Sequence, residues 1–177
     1  MRLTLFLLCL MAAPAVAAPA DVTGPLIGSV ESGIICPPPS VGESLAPGTV
    51  AGVTHLVEED PPFVSMSDRV PAVIGIGFGA KSMTADLFGL PDVTMTVTHP
   101  PMGKDRVTQQ SFQTRIDGTT PSLTFYQFDY PYELVRGGWT MEATKDGELL
   151  YRVAFDVVDP KDAPELARVC GFEELLS

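Results

Sequence analysis

From Trp139 to Val157 the chain alternates apolar and polar residues on both sides of a short turn, and this pattern constrains the fold more than any other feature. Trp139, Met141 and Ala143 interleave with Thr140, Glu142 and Thr144; beyond Lys145-Asp146-Gly147-Glu148, the residues Leu149, Tyr151, Val153, Phe155 and Val157 recur at every second position. A period of two sends successive side chains to opposite faces of an extended strand, and Asp-Gly supplies the positive φ angles of a tight hairpin. The segment therefore predicts two antiparallel strands with one buried face. Such a pair is marginal in water alone and needs further strands to cover its apolar side.

The rest of the chain supplies them. The same reading predicts strands over 26–35, 50–57, 70–78, 92–98, 107–116, 122–128, 138–144 and 149–157. Between 70 and 78, Ala72, Ile74, Ile76 and Phe78 are expected on one face; between 92 and 98, Val93, Met95 and Val97. Leu123 and Phe125 are expected to face inward, with Tyr126 and Phe128 on the opposite face. Pro37-Pro38-Pro39 and Glu58-Glu59-Asp60-Pro61-Pro62 are hard stops, and 16 Gly with 17 Pro in 177 residues suit a turn-rich β protein better than a helical bundle. Near the end, Asp162 as a cap, Pro164 in the first turn and Gly171 beyond predict a short helix over 162–168. The fold class expected is all-β, an immunoglobulin-like β-sandwich of seven to eight strands with a short C-terminal helix, in one domain over 21–177.

Residues 1–20 read as a cleaved signal peptide. Arg2 precedes an apolar run from Leu3 to Met11, and Ala15-Val16-Ala17 and Ala18-Pro19-Ala20 each fit the small-residue cleavage rule. The run is too short to span a bilayer of roughly 30 Å, so no membrane insertion of the mature chain is expected. The protein is expected in the periplasm or secreted. In that compartment Cys36 and Cys170, the cysteines left after the leader takes Cys9 away, most simply form one disulfide. The formal charge of −11 disfavours a nucleic-acid partner and an anionic membrane surface.

Two blocks carry a resemblance. Phe128-Asp129-Tyr130-Pro131-Tyr132-Glu133-Leu134-Val135 is followed by Gly137-Gly138-Trp139-Thr140, and Thr98-His99-Pro100-Pro101 closes a predicted strand. With Phe78-Gly79 as a weaker third block, these resemble the bacterial family called domain of unknown function 3859, over residues 70–158. Tyr132 stands where the family pattern has Trp, and Arg136 where it has Pro. The resemblance implies a small, sandwich-like, often exported domain and carries no activity with it.

Candidate chemistry is sparse. Gly75-Ile76-Gly77-Phe78-Gly79-Ala80-Lys81-Ser82 has the look of a phosphate loop, but its glycines alternate with apolar residues inside a strand pattern, which points to close backbone approach instead. Met95, His99 and Met102 offer thioether and imidazole ligands suited to Cu(I), which makes a periplasmic copper carrier the alternative reading. Against it, Met95 shares its parity with core residues, and His99 can serve to cap a turn before Pro100. Asp129 and Glu133 are carboxylates four apart with Pro131 between them, a spacing that says nothing about a cleft. His55 and His99 are the available imidazoles, and no Gly-x-Ser-x-Gly elbow accompanies them. No enzyme and no cofactor are expected. The reading is a non-catalytic binding or interaction module for an unknown protein, peptide or glycan partner, with His99, Phe128, Asp129, Tyr130 and Tyr132 as the candidate contact residues, since exposed aromatics dominate recognition energetics.

Overall fold

A computed structural model describes residues 21–38 and 40–176, so residues 1–20, expected to be a signal peptide, lie outside the described residues. The strands are β1 (Val22–Thr23), β2 (Ile27–Ile35), β3 (Ser40–Leu45), β4 (Val53–Val57), β5 (Arg69–Pro71), β6 (Gly77–Thr84), β7 (Leu90–Met102), β8 (Val107–Ile116), β9 (Ser122–Gln127), β10 (Gly137–Lys145) and β11 (Glu148–Val158). A short helix, α1 (Pro164–Cys170), follows. One sheet runs β1-β11-β10-β7-β8, with β5 added in parallel against β11; a second runs β2-β6-β9; β3 and β4 pair only with each other. The fold is an all-β sandwich, with eleven described strands where seven to eight were expected.

The strongest sequence signal sits at its centre. Trp139 pairs with Phe155, Met141 with Val153 and Ala143 with Tyr151, and all six are buried. Asp146 and Gly147 both take positive φ, 51° and 83°, as the tight turn requires. From the facing sheet Phe78 drives its ring into this layer, edge-on to Trp139 at 5.5 Å and to Phe155 at 4.9 Å. Val93, Met95 and Val97 fill the same core from β7, on the face their parity gave them.

Three expectations need correction. The 70–78 stretch is two strands, because it crosses from one sheet to the other: β5 ends at Pro71, the chain turns through Gly75 at φ 88°, and β6 begins at Gly77. Ile74, on the turn, is exposed. β6 then continues through Gly79-Ala80-Lys81-Ser82, and Gly79 is glycine because a Cβ there would lie 2.2 Å from the Thr124 carbonyl oxygen on β9. Second, β9 is inverted: Thr124 and Phe128 are buried while Leu123 and Phe125 are only partly covered. Third, β7 does not stop at Thr98 but runs through Pro100-Pro101 to Met102. That is possible because its pairing with β10 ends at Thr98 and its register with β8 slips between Thr98 and Met102, so no ladder bond is asked of the prolines.

The disulfide forms as expected between Cys36, just past β2, and Cys170, the last residue of α1, across a sequence separation of 134. It ties the helix to the end of the smaller sheet, with Leu166 and Ala167 buried beneath. Gly171, at φ 77°, ends α1 with its N–H on the Ala167 carbonyl.

Candidate functional site

β8 is the last strand of the larger sheet and β9 the last of the smaller one, and the turn at 117–121 joins them. The two strands belong to different sheets, and with β4 of the β3–β4 hairpin they line one cavity. Ser111 N–H on β8 donates to the Gly48 carbonyl at 3.0 Å, and Val50 N–H donates to Gln110 Oε1 at 2.6 Å. His55 on β4 reaches Asp129, just past β9, with 2.8 Å between Nε2 and Oδ2. Beneath the hairpin is a cavity of about 280 Å3. Leu123 through Gln127 of β9 and Val53 through Leu56 of β4 line it as unbroken runs, with Gln110 and Phe112 from β8.

A buried polar chain forms the floor. His99 Nδ1 stands 2.8 Å from the Pro100 carbonyl and therefore carries the proton; Nε2 then accepts from the Gln110 amide at 3.1 Å. Gln110 in turn donates to the Tyr126 hydroxyl at 3.4 Å, and that hydroxyl donates to Glu133 Oε1 at 2.8 Å. Glu133 Oε2 takes the N–H groups of Asp129, at 2.6 Å, and Tyr130, at 2.9 Å, closing the 3-10 turn Pro131–Glu133. Burial lowers the His99 pKa, partly offset by its bond to the Pro100 carbonyl. Burial also raises Glu133 above the usual carboxylate range, against the bonds it accepts from Tyr130, Tyr126 and Asp129. Tyr126 is raised first by burial and then by the Glu133 charge. The floor is neutral imidazole, amide and phenol, with one carboxylate at its end.

The candidate residues divide accordingly. Asp129 lines the cavity, and both its oxygens are engaged, by His55 and by the Gln127 amide at 2.8 Å. Tyr130 and Tyr132 are exposed and stacked on each other, ring centroids 5.3 Å apart and planes 6° from parallel. Phe128 is not a contact residue: it is wholly buried, packed against Phe78 and Trp139. His99 is buried as well, its ring 4.7 Å from that of Trp139, and it reaches the cavity only through Gln110. It sits within β7 rather than capping a turn.

The Met95, His99 and Met102 set does not fit a copper ion, because both ring nitrogens of His99 are committed and both methionines are packed in the core. The sequence does not single out His55 and Gln110 as partners; the one signal is a polar side chain sharing a strand face with apolar residues, His55 with Val53 and Val57 and Gln110 with Phe112 and Ile116. Ser40, His55 and Asp129 do line up as hydroxyl, imidazole and carboxylate. Ser40 Oγ stands 3.0 Å from the Gly42 carbonyl and 3.3 Å from His55 Nδ1, so a main-chain acceptor competes with the ring for its proton.

What the elements define is an immunoglobulin-like sandwich with one open flank and a hairpin laid over it. A solved immunoglobulin-like protein from Pseudomonas aeruginosa shares this fold: it is 18% identical, the alignment covers 81% of this chain and 100% of that one, and the TM-score is 0.50. The family model described as Domain of unknown function (DUF3859) matches residues 25–157, and the chain belongs to that family. No curated protein matches it.

Proposed function

We propose that the protein is an exported, non-catalytic binding module whose ligand enters the groove between β8 and β9 beneath the β3–β4 hairpin. The observation that carries this is the groove itself: a cavity of about 280 Å3, near the lower end of the range for ligand sites, walled by strand edges and covered by a hairpin that belongs to neither sheet. Export is supported by the N-terminal pattern of a signal peptide and by the disulfide; among the described residues no helix is long and apolar enough to cross a membrane. Binding rather than catalysis is supported by the carboxylates. Asp129 and Glu133 already spend their oxygens on His55, Gln127, Tyr126 and main-chain N–H groups, which holds the walls in place and leaves neither as a free base.

The test screens a random-peptide phage library and a glycan array against the protein and against Ala51→Trp, whose indole would fill the groove from the hairpin side. Ligands that bind the parent and are lost in a folded Ala51→Trp variant support the reading. A screen whose every ligand binds both proteins equally sinks it.

A further inference from the structure

The groove follows two strands residue by residue rather than lying over one face of either. Along a strand, alternate residues point to opposite faces, so a cavity lying over one face is touched by every second residue. Here Leu123, Thr124, Phe125, Tyr126 and Gln127 all line it, and so do Val53, Thr54, His55 and Leu56. Residues of both parities meet the cavity, as they do where a cavity runs along the edge of a strand. The pairing agrees: among the described residues β9 is laddered to β6 alone and β4 to β3 alone. Each therefore has a second edge that completes no ladder, and both strands line the groove. β8 also contributes an unbroken run, Phe112 to Thr114, but Ser111 beside it already bonds to Gly48 of the hairpin.

Resting on the groove as the binding site, we infer that its ligand is an extended, uncharged peptide segment that adds as a strand to β9, between β9 and β4. Peptide backbone is the chemistry that answers a row of main-chain donors and acceptors. The added strand would join the three strands β2-β6-β9 to the pair β4-β3 as one continuous sheet, facing the six strands of the other layer. β9 has six residues, about 20 Å of edge, so a segment of comparable length can pair along it. One set of its side chains would lie over Gln110, Phe112 and Tyr126, an amide and two aromatic rings. The acids within reach, Asp129 and Glu133, are already bonded to His55 and to Tyr126, so the groove solicits no cation.

The experiment takes the tightest peptide from the phage library and remakes it with single N-methyl groups at successive residues. Binding to the full chain is measured by calorimetry, with amide hydrogen exchange followed in parallel. Strand addition predicts a loss of roughly tenfold at each residue whose N–H meets β9 or, alternating with these, β4, the scale of one main-chain hydrogen bond. It also predicts slowed exchange in Ser122–Gln127 with β2 unchanged. A peptide that binds in the groove but tolerates every N-methyl group, leaving β9 exchange unchanged, overturns strand addition and leaves the groove reading intact. Glycan binding without any peptide binding does the same. A screen that yields neither class overturns both.

Discussion

Glu133 is the residue on which the groove floor and the neighbouring turn both depend, and truncating it gives the sharpest test of the buried chain. It is 2% exposed and accepts from three donors: Asp129 N–H, Tyr130 N–H and the Tyr126 hydroxyl. Each bond to a charged acceptor contributes about 1.5–3 kcal/mol, but burying the carboxylate costs several kcal/mol in return, and the raised pKa records that cost. Glu133→Ala removes both sides of that balance and leaves three buried donors unanswered, at about 1 kcal/mol each where water can follow into the vacated space. The net loss is therefore about 3 kcal/mol, a fall in Tm of roughly 6–12 °C for a domain of this size. Glu133→Gln keeps an oxygen for the two backbone N–H groups and an amide against the phenol, and loses only about 1 kcal/mol.

The pH dependence has a definite sign. Because the folded-state pKa lies above the ordinary value near 4.5, the folded chain holds this proton more tightly than the unfolded chain. The stability that follows is complete below that ordinary value and is lost as pH rises through the folded one. Urea denaturation of parent and Glu133→Gln at about pH 4 and about pH 7 should show the parent's advantage shrinking toward the higher pH. An advantage that grows with pH, or a Glu133→Ala loss under about 1 kcal/mol, would refute the account of a buried carboxylate held by three donors.

Other consequences are read more simply. Replacing Cys36 and Cys170 by Ser should cost up to about 5 kcal/mol on the chain-entropy scale for so long a loop, measured by denaturation with and without reductant, with α1 amides the first to exchange. Gly79→Ala should cost about 1–3 kcal/mol, because its Cβ would meet the backbone of Thr124 and Phe125 rather than a side chain that can move; the urea midpoint reads it. Tyr151→Phe should be neutral or slightly stabilising in a thermal melt: the hydroxyl is buried without a hydrogen-bond partner, with Ser82 and Thr124 near but out of bonding geometry. Phe88, 93% exposed on a loop where Asp86 accepts from the N–H groups of Phe88 and Gly89, should change to Ser with stability moved by less than about 0.5 kcal/mol, alongside a rise in solubility.

The β10–β11 hairpin was legible because one face is buried and the other wet, the condition that writes a clean period of two into a sequence. The same condition explains the failures. β3 is exposed along nearly its whole length, so Ser40–Leu45 carries no apolar alternation to read. In β9 both faces have company: Thr124 and Phe128 enter the core, while Leu123 and Phe125 line the cavity, and the bulkier side chains on the second face mimic a core. The Tyr130 and Tyr132 surface was readable from a local motif, since Pro131 fixes the turn that presents both rings. His55 was not, because its partner Asp129 is 74 residues away and only the hairpin's placement brings them together.

That placement bears on why the hairpin exists at all. An unpaired strand edge templates unwanted pairing, and sandwiches blunt such edges with charge, proline or a covering segment. β9 from Ser122 to Gln127 contains neither a charge nor a proline, so its protection falls to the cover. Yet β4 does not pair with β9, as a permanent cover would; it stands off by the width of the cavity and is fastened through His55–Asp129, Ser111–Gly48 and Val50–Gln110. Covering the edge without consuming its hydrogen bonds keeps β9 from aggregating while leaving those bonds unspent. A hairpin that served protection alone would gain more by laddering directly onto β9, so the space kept between them favours a ligand strand over a merely structural gap.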